Sequence, residues 1–271
     1  MNDMRMPEQV YAKQGPVVRF NQLGVKIVMD AVSNEDYFRW LDHASEEIAT
    51  LVPGTQIAEK ENARIGPPLN TAVYYDTPEL EILPTGALLR TSCNKVTHAF
   101  CAFKMTRDIH GVRNDHRYVF DGYEKTTIQQ APASAEAVAI VKRLLARRDV
   151  EQPGGFLEQS LGIPRDRVQP TVLLEDYRYT FFVWIDSQDA LRCSLDRYEV
   201  SDLRLPEGSR EKQPISEVEI SIYPRIDPGV ADDPRVVASI EALARSLTAA
   251  FDVWATTDIK YQRAARALGF G

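Results

Sequence analysis

Alternation of apolar and polar positions is the dominant signal along the chain. Val17 to Met29 alternates and is rich in β-branched residues, which predicts a strand. Ser33-Asn34-Glu35-Asp36 then reads as a helix start. Tyr37, Trp40, Leu41, Ala44, Ile48 and Leu51 follow at helical spacing up to Pro53-Gly54. The polar stretch 59–68 predicts a loop. Thr71–Tyr75, Ala87–Cys93, His98–Thr106 and His116–Asp121 predict a meander of strands. Ser134 opens a helix with Val138, Val141, Leu144 and Leu145 on one face, and Gln152-Pro153-Gly154-Gly155 is expected to break the chain. Val172–Ile185, Ala190–Leu195 and Ile215–Tyr223 predict further strands, followed by a helix over 233–251 and a last short helix over 262–268. Strands rarely alternate with helices, so an antiparallel sheet is expected, and a sheet of this size hides its edges by closing. The expected fold is α+β: a closed antiparallel β-barrel of about eight strands with peripheral helices. Residues 1–16 read as a polar leader and 17–271 as a single domain.

Composition narrows the partners. The 32 basic and 39 acidic residues give a net charge of −7, which argues against broad nucleic-acid binding but leaves room for a local basic pocket. Cys93, Cys101 and Cys193 have no metal-type or disulfide spacing and are expected as buried thiols in a cytoplasmic protein. No run of apolar residues is long enough to span a membrane. The histidines His43, His98, His110 and His116 share no metal-ligand spacing either.

Residues two apart on a strand share a face. Glu217, Glu219 and Ser221 therefore lie opposite Val218, Ile220 and Ile222, which are expected to pack against outer helices. The same phase puts Lys26 with Gln22 and Gly24, Arg90 with Ser92, Lys104 with Ala102, Arg178 with Thr180, and Arg192 with Ser194 and Asp196. Taken strand by strand, such charges fit a solvated outer face better, since charged residues are mostly exposed.

Tyr74-Tyr75-Asp76-Thr77-Pro78-Glu79-Leu80, followed by Gly86-Ala87-Leu88-Leu89-Arg90, resembles the Tyr-Phe/Tyr-Asp-Thr-Pro segment and the later Gly-x-x-Leu-Arg strand of the CYTH family, the triphosphate tunnel metalloenzymes. Leu23 to Val28 resembles that family's opening strand, Ala102-Phe103-Lys104 its substrate-lysine strand, Leu191 to Val200 its Leu-Asp-x-x-Glu-Val strand, Ser216 to Ser221 its late acidic strand, and Lys260 its near-terminal lysine. The resemblance implies a tunnel whose interior holds a small phosphate-bearing anion. It implies phosphate contacts at Lys26, Arg90, Lys104, Arg117, Arg178, Arg192 and Lys260. It implies catalytic, metal-binding carboxylates at Glu217 and Glu219, with magnesium or manganese as the ion; for a metal-dependent enzyme, Asp196 or Glu199 is the candidate for a further oxygen donor.

The departures matter as much. The family's Glu-x-Glu-x-Lys stands here as Gln22-Leu23-Gly24-Val25-Lys26, so both opening carboxylates are replaced. Arg-x-Arg is reduced to Arg90-Thr91-Ser92, and Ser-Lys becomes Ile259-Lys260. Three functions stay open: a divergent metal-dependent phosphohydrolase, a noncatalytic module that binds or senses a triphosphate, nucleotide or polyphosphate, and a tunnel repurposed for another substrate. Restoring Gln22→Glu with Gly24→Glu is expected to strengthen metal binding.

Overall fold

The computed structural model describes residues 17–21, 24–60, 63–105, 112–148, 151–223 and 226–270. Gln22, Thr106 and His110 lie outside these. The segment expected as one strand is two, β1 (Val17–Asn21) and β2 (Gly24–Val28). After α1 (Asn34–Leu51) come β3 (Thr55–Glu59), β4 (Leu69–Asp76), β5 (Leu88–Asn94), β6 (Ala99–Lys104) and β7 (Val112–Val119). Three helices follow: α2 (Gly122–Gln130), α3 (Ala135–Ala146) and α4 (Pro153–Leu161). The long pair β8 (Gln169–Ile185) and β9 (Gln188–Asp202) precedes β10 (Gln213–Ile222), α5 (Pro228–Ala231), α6 (Pro234–Ala250), β11 (Ala255–Thr256) and α7 (Lys260–Ala267).

All these strands form one eleven-stranded sheet, in the order β1-β7-β6-β5-β4-β8-β9-β10-β2-β11 with β3 added on β8. The expected number of about eight is thus too low: one strand is split, and β3 and β11 carry too short an alternation to be read. Every pairing among the described residues is antiparallel. The hydrogen bonds among the described residues form an antiparallel sheet and do not by themselves close it into a barrel. Connectivity still curls the sheet. β1 pairs with β7 at one end of the path and β2 with β10 near the other, yet Asn21 and Gly24 are three residues apart. Chain geometry holds their Cα atoms within about 11 Å, so the two ends of the sheet must approach each other.

Local chemistry sets the elements. Ser33 and Ser134 cap α1 and α3 by accepting from the backbone N–H groups of Asp36 and Ala137. The expected break at 152–155 is instead the start of α4, with Gln152 as cap and Pro153 in the first turn, where its missing N–H costs nothing. The β8–β9 hairpin turns on Asp186 and Ser187, whose φ of 48° and 68° suit a tight two-residue loop.

Three apolar clusters divide the sheet. On the outer face, α1 and α6 cover β2, β8, β9 and β10 through Tyr37, Trp40, Leu243, Val218 and Ile220, as the alternation predicts. A second outer cluster seats α2, α3 and α4 on β4 to β7 through Ile128, Ile140, Leu157, Leu89 and Phe103. The third lies on the inner face, where Tyr74, Val172, Tyr198 and Ile215 meet Ile259, Tyr261 and Ala264 of the C-terminal segment. The last helix is therefore packed into the concavity that the sheet encloses.

Candidate functional site

Directly opposed residues on antiparallel strands share a face, so the registers decide which charges meet. Arg178, Asp196 and Glu217 form one row across β8, β9 and β10, and Thr180, Ser194, Glu219 and Lys26 form the next, continued onto β2. Arg192 stands opposite Phe182 and Ser221 in the row beyond. On the other half of the sheet Tyr74, Arg90, Ala102 and Arg117 make one row, with Leu88, Lys104 and Asp115 beside it. Tyr74 and Val172 oppose each other between β4 and β8, so both halves present these residues on the same inner face.

Asp196 is the most heavily engaged group of the first half. Arg178 grips it with Nε at 2.7 Å and Nη2 at 2.9 Å, Tyr198 donates its hydroxyl at 2.6 Å, and Lys260 Nζ lies 2.5 Å away. Burial opposes ionisation of Asp196, but Arg178 and Lys260 outweigh it and hold the carboxyl well below its ordinary range. Glu217, fully buried, accepts from Arg263 Nη1 at 3.0 Å and from the Tyr198 hydroxyl at 3.2 Å, with Lys260 Nζ at 3.6 Å. Burial works against the charge of Glu219 too, yet Lys26 and then Lys260 bring its carboxyl down to about 2. Asp176 binds Arg178 at 3.0 Å, and burial, followed by the nearby Asp196 charge, pushes its carboxyl up to about 6.

In the second half Asp115 is fully buried between Lys104, 2.8 Å away, and Arg117. Burial lowers Lys104 to about 7 against the pull of Asp115, and Arg117 and Arg90 push the same way. Arg90 reaches the Tyr74 hydroxyl at 3.5 Å while its Nε is buried with no hydrogen-bond partner among the described residues; Asp115 Oδ1 and Asp176 Oδ1 share that condition. His98 lies beside the second half. Burial, then the charges of Arg90 and Arg117 and, more weakly, Lys125 and Arg178, hold its imidazole down to about 4.

The inner face thus gathers Lys26, Arg90, Lys104, Arg117, Arg178, Arg192 and Lys260 as expected positions, and adds Arg263, Asp115, Asp176 and Tyr198. Glu199 is not among them: it sits on the exposed side with Glu175, sharing Lys212 at 2.6 Å. Asp76 of the Tyr-Tyr-Asp-Thr-Pro segment has a building role. It accepts from the backbone N–H groups of Thr77, Ile82 and Leu83 at 2.7, 2.8 and 2.9 Å and from the Tyr261 hydroxyl at 3.0 Å. Tyr261 stacks on Tyr74, with centroids 4.9 Å apart and 6° between planes. That motif therefore seats α7, and α7 delivers Lys260 and Arg263. Arg263 was hidden in the sequence because an arginine at a buried helix position has no local signature.

Asp196, Glu217 and Glu219 each offer a carboxylate oxygen within 4.8 Å of the others. Hard oxygen donors of this kind suit magnesium or manganese. The charges around them do not: Arg178, Lys260 and Arg263 already neutralise Asp196 and Glu217, and a dication among them would face three fixed cations. The residues as they stand do not fit a metal held by these carboxylates alone. Gly24 cannot readily be converted into the absent ligand either. A Cβ there would lie 2.4 Å from the Ile220 carbonyl oxygen and 2.7 Å from the Ser221 Cα, which corrects the expectation that Gly24→Glu would rebuild a metal site.

No protein-family model matches the chain, and no curated protein matches it. Among solved structures it resembles a candidate adenylate cyclase from Bacillus halodurans, at 12% identity over 90% of this chain and 97% of that one, with a TM-score of 0.52. A Hippeastrum protein described as a candidate adenylyl cyclase with a dominant triphosphatase activity matches at 12% identity over 90% and 96% of the two chains, with a TM-score of 0.46. A candidate adenylate cyclase from Vibrio parahaemolyticus matches at 10% identity over 87% and 90%, with a TM-score of 0.39. The likeness to the Bacillus halodurans structure shows that the two chains share a fold over most of their lengths. Among the described residues, no helix is long and apolar enough to cross a membrane.

Proposed function

We propose that the concave face closes into a tunnel around a small phosphate-bearing anion, a triphosphate, nucleotide or polyphosphate, and holds it chiefly with side-chain cations. The observation that carries this reading is the local reversal of charge. The chain as a whole is acidic at −7, yet on the inner face Lys26, Arg90, Lys104, Arg117, Arg178, Arg192, Lys260 and Arg263 narrowly outnumber Asp30, Asp76, Asp115, Asp176, Asp196, Glu217 and Glu219. Charges in a partly water-excluded concavity attract phosphate oxygens far more strongly than the same charges on open surface. The buried Arg90 Nε has no hydrogen-bond partner among the described residues, and leaving such a donor unpaired costs about 1–3 kcal/mol. A phosphate oxygen would satisfy it. The fold of the Bacillus halodurans neighbour, a candidate adenylate cyclase, is consistent with a nucleotide-sized ligand.

The second reading, a divergent metal-dependent phosphohydrolase using Glu217 and Glu219, has the convergence of Asp196, Glu217 and Glu219 in its favour. It requires a dication to displace protein cations from those carboxylates. One panel separates the two: thermal shift and phosphate release with triphosphate, nucleotides and longer polyphosphates, with and without magnesium or manganese. Stabilisation without metal and without turnover supports anion binding; a ligand at 100 times its Kd stabilises by about 2.7 kcal/mol. Phosphate release that depends on the metal supports the hydrolase. No stabilisation by any of these anions would sink the reading of the face as a phosphate site.

A further inference from the structure

We infer that the ammonium of Lys260 takes the cation position between Asp196 and Glu217, so that the chain itself occupies this side of the acidic cluster and the ligand-free protein takes up no divalent metal there. The inference goes beyond phosphate binding and does not depend on it. Its first ground is position. Lys260 Nζ lies 2.5 Å from Asp196 Oδ2 and 3.6 Å from Glu217 Oε1, and oxygens of Asp196, Glu217 and Glu219 converge within 4.8 Å. One wall is aromatic: the Tyr198 ring centroid is 4.9 Å from Nζ, a contact that favours a bound cation.

The second ground is that this lysine is held in place. It is the first residue of α7, its side chain is 13% exposed, and its neighbours Ile259 and Tyr261 are buried in the inner apolar cluster. The Tyr261 hydroxyl binds Asp76 at 3.0 Å and meets the Thr171 hydroxyl at 3.1 Å. Lys212, which also bridges two carboxylates, is half exposed and has no such frame. A surface lysine gives way to a competing ion at little cost, whereas moving Lys260 away means withdrawing it from a buried carboxylate or unseating a helix.

The third ground is the count of acceptors. Asp196 Oδ2 already receives Arg178, Tyr198 and Lys260, and Asp196 Oδ1 receives Arg178. Glu217 Oε2 receives Arg263, while Glu217 Oε1, 3.2 Å from the Tyr198 hydroxyl, shares that single proton with the nearer Asp196 and has Lys260 Nζ at 3.6 Å. Magnesium and manganese need oxygens at about 2.0–2.2 Å with open lone pairs. Removing the ammonium while retaining the stem would free one acceptor on Asp196 and delete the charge that repels an incoming dication.

Manganese alone, in phosphate-free buffer, is the probe, and its binding is followed by loss of the free-ion electron paramagnetic resonance signal. The wild-type chain is expected to bind no manganese at about 1 mM, in the weakest range of protein oxygen sites. Lys260→Met, checked for its fold by circular dichroism, should bind at least about ten-fold tighter than wild type, and Lys260→Met with Glu217→Gln should lose that gain. Wild-type binding below about 100 µM, or a folded Lys260→Met chain with no gain, overturns the inference. Should Lys260→Met fail to fold, the wild-type titration decides: tight binding rejects the inference and absence of binding supports it. Because no phosphate compound is present, failure here is distinct from failure of the anion-binding reading.

Discussion

Arg263 donates from Nη1 to Glu217 Oε2 at 3.0 Å, and both side chains are buried, at 6% and 0% exposure. The same guanidinium reaches Asp30 and the Ser216 carbonyl through Nη2, so one arginine of α7 ties the helix to β10 and to the segment after β2. Arg263→Ala would leave Glu217 as a buried charge with its principal partner gone. The expected loss is about 3–5 kcal/mol, measured by urea unfolding, and Glu217→Gln added to it should recover part of the loss. A change below 1 kcal/mol would mean that α7 is not seated through this pair.

Lys104 should give anion binding a pH dependence. With its amine lowered to about 7 by burial, it is positive below that pH and neutral above, so its contribution weakens as pH rises through 7. A bound polyanion shifts that fall upward. Lys104→Arg, which stays charged, should remove this component; the difference in slope between the two proteins from pH 6 to 8, by isothermal titration with triphosphate, isolates it from the ligand's own ionisation. Lys104→Ala should weaken binding about ten- to hundred-fold, the value of one hydrogen bond to a charged group. Parallel slopes for wild type and Lys104→Arg would place the Lys104 titration outside this range.

Gly24 is predicted to be structural. Even Gly24→Ala introduces a Cβ 2.4 Å from the Ile220 carbonyl oxygen, an overpacking expected to cost about 1–3 kcal/mol, and Gly24→Glu should cost at least as much without creating manganese affinity. Thermal melts and the manganese titration report both. A stable Gly24→Glu chain that binds manganese would show that β2 and β10 part easily at this point.

Asp76 offers a test of how the strongest motif works. Its carboxylate joins three backbone N–H groups and the Tyr261 hydroxyl. Asp76→Ala should therefore destabilise the protein by about 3 kcal/mol or more, since buried groups bonded to a charged acceptor lose about 1.5–3 kcal/mol each. Tyr261→Phe should cost about 1 kcal/mol. Anion affinity should fall more in Asp76→Ala than in Tyr261→Phe, because Lys260 is positioned by the helix that Asp76 anchors. Equal stability of Asp76→Ala and wild type would reduce the motif to a surface turn.

The sequence by itself determined the faces. The period-two alternation of Val218, Ile220 and Ile222 against Glu217 and Glu219 left one side apolar, and that side is buried under α1 and α6 because the pleat admits no other assignment. The helices with strong apolar stripes, α1, α3 and α6, were legible for the same reason. α2 was not, since only Thr127 and Ile128 of it are buried, nor was α4, whose opening Pro-Gly-Gly resembles a break. Composition could place cations on strands but could not say which carboxylate each would meet. That was decided by the register of neighbouring strands: Arg178 meets Asp196 across the β8–β9 hairpin and Asp196 meets Glu217 across β9–β10. It was decided above all by α7, which enters the concavity and brings Lys260 and Arg263 to carboxylates 64 and 46 residues away. Pairing energies of this kind depend on distance and burial, and both exist only once the sheet has curled around the helix.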